Sequence, residues 1–106
     1  MSKNYTPDCW RIIEFTYGDK QTPLRKVFAG WYGGYATGDR WKLSSGITNT
    51  REFEDRYEFE NYSGSTYICP KSAQRMSGYM MQVYSSFVNE LEEMPDATME
   101  IIEYKE

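Results

Sequence analysis

The sequence predicts an α+β domain: an antiparallel sheet of five to six strands in a meander, one helix packed on one face in the C-terminal half, and a final strand. Three observations lead there. Short aromatic and β-branched runs separated by glycine-containing turns fill residues 9–69; the apolar period lengthens to between three and four after residue 72; and a last short apolar run occupies 99–104. With 106 residues the chain has the size of one domain, so residues 1–106 are read as a single unit.

The first run, "CWRIIEFTY" at 9–17, is rich in strand formers and ends at a Gly-Asp turn. "LRKVFAGWY" at 24–32 reads as its hairpin partner after a loop containing Pro23, and "RWKLSSGI" at 40–47 alternates strictly, with Trp41, Leu43, Ser45 and Ile47 on one face. In "TREFEDRYEFENY" the rings Phe53, Tyr57 and Phe59 alternate with charges. Thirteen residues exceed the usual strand length, so a hairpin turning at Glu54-Asp55 is favoured over one long strand. "NYSGST" is a further turn, and "TYIC" a short strand that Pro70 ends.

The helix is marked by Met76, Met80, Val83, Phe87 and Leu91, spaced 4, 3, 4 and 4, with Tyr84 and Val88 widening the stripe. Ser72 or Ser77 caps its start, Gly78 delays the regular helix, and Met94-Pro95 stops it. The strand at 99–104 then pairs most economically with the first strand, which otherwise keeps an open edge.

Composition removes several functions. No histidine is present, which excludes Ser-His and Cys-His nucleophile systems and histidine metal sites. No GxxxxGK[ST] loop occurs, and "GWYGG" does not match GxGxxG. Carboxylate pairs such as Asp39 with Glu14 or Glu58 suit acid/base work in principle. In a small domain with sixteen acids, most carboxylates are solvated surface, and no catalytic residue is assigned. Cys9 and Cys69 bridge only if their Cα atoms come within about 7 Å; without histidine they make a poor metal site and are expected as ordinary buried thiols or weakly packed surface thiols, so neither metal nor cofactor is called for.

Charge is uneven. Residues 1–51 hold eight Lys/Arg and four Asp/Glu, a net +4, whereas residues 52–106 hold four and twelve, a net −8, giving −4 overall. An acidic chain with no run of basic residues argues against nucleic acid as a partner. No apolar run approaches the ~20 residues that cross a bilayer, and the start "MSKNYTPD" lacks a secretory h-region, so a cytoplasmic protein with no membrane partner is expected.

Two clusters carry the candidate sites. Trp31, Tyr32, Tyr35 and Trp41 lie with Asp39, Arg40 and Ser44 in a segment where five of the eight glycines fall between positions 30 and 46. Such rings can stack on a base or sugar while Asp39 and Arg40 give directional bonds. The same residues also suit a plain strand connection, in which glycines turn the chain, Gly38 takes a positive φ and the rings cover the sheet end. On the helix, Met81, Tyr84 and Val88 fall at the margin of the apolar stripe; a helix that simply seals the sheet is the favoured reading, and an adaptable interface using flexible Met and Tyr is the alternative.

The runs "YTPDCW", "AGWYGGY", "DRWKLSSGI" and "YSGSTYIC", spanning residues 5–69, resemble small proteins encoded in tailed-bacteriophage genomes. The resemblance implies expression inside an infected bacterium and brings no activity, cofactor or catalytic residue. The expectation is therefore a non-enzymatic accessory protein that binds an unidentified protein partner or self-associates as a small oligomer. The alternative is a small-ligand domain holding a nucleotide or sugar at residues 31–44.

Overall fold

The computed structural model describes residues 3–18, 23–33, 38–94 and 96–105, and within them eight strands form two four-stranded sheets with one helix outside the second. The strands are β1 (Asn4–Tyr5), β2 (Cys9–Tyr17), β3 (Leu24–Trp31), β4 (Arg40–Leu43), β5 (Ile47–Glu52), β6 (Arg56–Asn61), β7 (Thr66–Pro70) and β8 (Ala97–Ile102), and the helix is α1 (Gly78–Leu91). The first sheet runs β1-β7-β6-β5 and the second β4-β3-β2-β8. All pairings are antiparallel except β1 with β7, which is parallel.

The α+β class and the antiparallel strands match the expectation; the single meander does not. The reason lies in β2. Cys9, Ile13 and Phe15 project to one side and Trp10 and Ile12 to the other, and all five are buried. One helix can cover only one of those faces, so the other needs a second sheet. Trp10, Ile12, Val27 and Ala29 accordingly meet Tyr57, Phe59, Tyr67 and Cys69 between the sheets, while Cys9, Ile13, Phe15 and Phe28 meet Met80 of α1.

The expected strand at 40–47 breaks where the chain changes sheets. Ser44 leaves the ladder, its backbone N–H donating to Val27 O at 2.9 Å while its Oγ accepts from Val27 N at 2.8 Å. A Cβ on Gly46 would stand 2.6 Å from Leu24 Cδ1, so the bend packs against the tip of that partly exposed leucine, which a side chain there would push aside. The chain thus turns a corner at Ser44–Gly46 as it passes from the second sheet to the first.

Other expectations hold. The 51–62 stretch is a hairpin, closed by Phe53 N–H donating to Arg56 O at 2.8 Å. Ser77 caps α1 through Oγ accepting from Met80 N at 3.1 Å, and the last strand, beginning at Ala97, pairs with β2. The stop at Met94-Pro95 is reached only after Leu91 has closed the helix, and Pro95 lies outside the described residues. Cys9 and Cys69 are both free and buried, one beneath α1 and the other between the sheets. Among the described residues no helix is long and apolar enough to cross a membrane.

Gly30 lies directly beneath the helix. Met80 sits above it, accepting from the Cys9 thiol at 3.3 Å, and a Cβ at Gly30 would meet Met80 Sδ at 2.3 Å. Gly30→Ala is expected to destabilise the fold by about 1–3 kcal/mol, because the methionine must leave its seat. In a Met80→Ala background, itself weakened by about 2–5 kcal/mol, the same change should cost little. Urea unfolding of the four variants checks this, and an equal cost in both backgrounds would show that Gly30 is not set by the methionine.

Candidate functional site

The edge strands β1 and β4 belong to different sheets, yet they face one another. Register pairs Lys42 with Ala29 and Arg40 with Trp31, which puts both cations on the face of the second sheet that looks toward the first. Lys42 Nζ lies 5.3 Å from the centre of the Tyr5 ring. Tyr5 in turn stacks on Tyr67 at 5.0 Å and meets Trp31 edge-on at 6.4 Å. Between these groups run two adjoining clefts of about 480 and 460 Å³, which share Tyr5 and Lys42.

The first cleft is lined by Asn4, Tyr5, Thr6, Trp31 and residues 40–42. Trp31 is fixed there by its indole N–H, which donates to Thr6 O at 3.0 Å. The second cleft adds Lys3, Tyr67 and a row of hydroxyls. Ser45 Oγ donates to Ser63 Oγ at 3.1 Å and accepts from Ser63 N at 3.1 Å, and Ser63 shares a hydrogen bond with Ser65 at 3.3 Å. Gly64 makes this turn possible, with φ 95°.

The electrostatics invert those of the chain. Lys3, Arg40 and Lys42 line the clefts, and among the described residues no carboxylate does. None of these three cations has an ion pair among the described residues, whereas Arg25, Arg51, Arg56, Lys71 and Lys105 all do. Charged residues pointing inward on an edge strand discourage edge-to-edge pairing, which accounts for Arg40 and Lys42. It accounts for neither Lys3 nor the rings and hydroxyls around them.

The expected cluster at 31–44 is divided by the pleat. Trp31 and Arg40 line the first cleft. Trp41 also borders it, but its ring packs edge-on against Phe28 at 6.0 Å and Phe87 at 5.4 Å on the helix side. Tyr32 is exposed, its backbone N–H donating to Asp8 Oδ2 at 2.9 Å. Asp39 turns back on its own loop, Oδ1 accepting from Gly33 N at 3.2 Å, and Gly38 adopts φ 68° as anticipated. Ser44 is buried, serves the corner and lines the second cleft. Tyr35 lies outside the described residues.

On α1, Met81 is 54% exposed and Val88 38% exposed, whereas Tyr84 packs on the core beneath the helix. Val88 and Leu91 border a shallow third cavity with Met99. The carboxylates considered for acid/base work are separately engaged: Glu14 with Arg25 at 2.9 Å, Glu58 with Arg56 at 3.1 Å.

Lys3, Tyr5, Lys42, Ser45, Ser63, Ser65 and Tyr67 escaped the sequence reading as site residues. The "YSGSTY" run was legible as a turn, but its proximity to β4 is a product of the corner. Comparison with protein families, with curated proteins and with solved structures finds no match for this chain.

Burial pushes the Tyr67 phenol up to about 12, assisted by Tyr5 and Cys69, and pushes the Cys69 thiol up as well. Both groups are neutral in the fold while their counterparts in the unfolded chain ionise first, near 9 for the thiol and 10 for the phenol. Stability should therefore be full below about pH 9 and fall as pH rises toward 12. Tyr67→Phe should flatten the part of that fall above pH 10. Urea midpoints followed by circular dichroism from neutral pH upward test this; a midpoint independent of pH throughout would contradict it.

Proposed function

We propose that the domain is a non-catalytic binding module for a phosphate-bearing ligand with a planar ring or sugar, held in the clefts between β1 and β4. The observation that carries this reading is the meeting, among the described residues, of three cations without ion pairs and aromatic faces in clefts that no carboxylate lines, in a chain whose acids outnumber its bases. Tyr5 and Trp31 offer rings for stacking, while Lys3, Lys42 and the Ser45–Ser63 pair offer donors for an anion. Lys42 over Tyr5 is held by a ring and not by a carboxylate, so an arriving anion displaces no ion pair.

The expected protein partner is kept as a second reading, supported by the exposed Met81 and Val88 and by the shallow cavity beside them. Light scattering that finds a strict monomer at high concentration counts against self-association through this face.

A nucleoside monophosphate titrated into the protein should raise the thermal midpoint and quench tryptophan emission, since Trp31 lines the cleft. Lys42→Glu should weaken that binding by about tenfold or more, the loss of one charge-assisted contact. If neither nucleotides nor sugar phosphates shift the midpoint of the native protein, the reading fails.

A further inference from the structure

Resting on that reading of the clefts, we infer that the ligand is polymeric: a single-stranded nucleic acid laid along β4, its phosphates on Lys42, Arg40 and Lys3 and its bases against Tyr5 and Trp31. Length is the first argument. The four residues of β4 span roughly 10 Å at about 3.3 Å per residue, and the lining continues through Ser44 and Ser45 to Ser63 and Ser65. The two clefts adjoin, with Tyr5 and Lys42 lining both, and a strand following β4 would pass from one to the other along a single track.

Spacing is the second argument. Arg40 and Lys42 stand two residues apart on one face, about 7 Å along the strand, a repeat that successive phosphates of an extended strand can follow. The stack formed by Tyr5 and Tyr67 lies beside them, with Trp31 edge-on to Tyr5. Cations along a groove with rings interleaved are what sequence-tolerant single-strand binding requires, because every base has a face to stack and every phosphate a charge to neutralise. A duplex keeps its bases stacked on one another and offers the rings nothing.

The chain-wide charge argued against nucleic acid. What a phosphate meets, however, is the local field, which salt screens over about 8 Å at physiological strength: Lys3, Arg40 and Lys42 line the clefts, while Asp8 and Asp39 stand at the Trp31 end, engaged by the Tyr32 and Gly33 backbone N–H groups. The acidic residues of β6 lie on the outer face of the other sheet and are neutralised there by Arg51 and Arg56. Remoter acids then serve to weaken binding at positions off the track.

Fluorescence anisotropy of a labelled oligothymidylate of about eight nucleotides tests the inference. The oligonucleotide should bind at least about tenfold more tightly than thymidine monophosphate, and log affinity should fall with log salt at a slope near −2, about 0.7 for each of three phosphates. Lys42→Gln and Lys3→Gln should each reduce the slope by about 0.7. Lys26→Gln, a cation lying over Phe15 and absent from the cleft lining, should leave it unchanged and reports on the fold. Equal affinity for the monophosphate and the oligonucleotide would overturn the polymer while the binding reading stands. Competition by polyglutamate as effective as that by oligothymidylate would instead assign the track to an acidic peptide, and binding of no phosphate compound at all would remove both readings.

Discussion

Trp10 is the residue on which the two sheets depend. Its ring is fully buried between them, meeting Phe59 at 5.6 Å and Tyr57 at 6.0 Å, and its indole N–H donates to Pro70 O at 2.7 Å. One side chain from β2 thus contacts β6 and the end of β7 together. A tryptophan suits this place because it buries a large area and can still satisfy its single donor. With β2 fixed against the first sheet, its neighbours β3 and β8 follow through their ladders, and its opposite face is left for Met80 and the helix.

The same packing closes one end of the domain and opens the other. At the closed end Gln74 holds the segment after β8 with both arms of its amide, accepting from Tyr104 N at 2.6 Å and donating to Tyr104 O at 3.2 Å. The Tyr104 ring then packs edge-on against Tyr57 and Phe59 at 4.9 and 5.0 Å. At the open end β1 has only two residues, Asn4 and Tyr5, and β4 extends beyond what it can cover. Lys42 therefore sits next to Ala29 in the ladder without joining the core that Ala29 enters. Incomplete coverage of one sheet's edge by the other is what makes the cleft.

Much of the fold was legible because turns and alternation are local signals. The hairpin at Glu54-Asp55, the Ser77 cap and the return of the last strand to β2 each follow from a few residues and one rule about strand length, capping or open edges. Layering was harder to read. "CWRIIEF" shows apolar residues on both faces, and that continuous burial, read as a plain strand, in fact demanded two covers. The corner at Ser44–Gly46 was hidden for the opposite reason, since the alternation of Trp41, Leu43, Ser45 and Ile47 runs through it unbroken.

The site divides in the same way. Trp31 and Arg40 could be named from a stretch dense in rings and glycines, but period two sends Trp41's ring to the helix, and density along the chain says nothing about which face a residue takes. Tyr5, Lys42 and Ser63 come from three separated segments and share a cleft because the two sheets pack together there. Net charge misleads for a related reason. Summed over the chain it is −4, yet among the described residues five cations are engaged by carboxylates, and the three that line the clefts have no ion pair. A charge that is already paired contributes little beyond its partner, so the clefts beside β4 present unpaired cations although the total is negative.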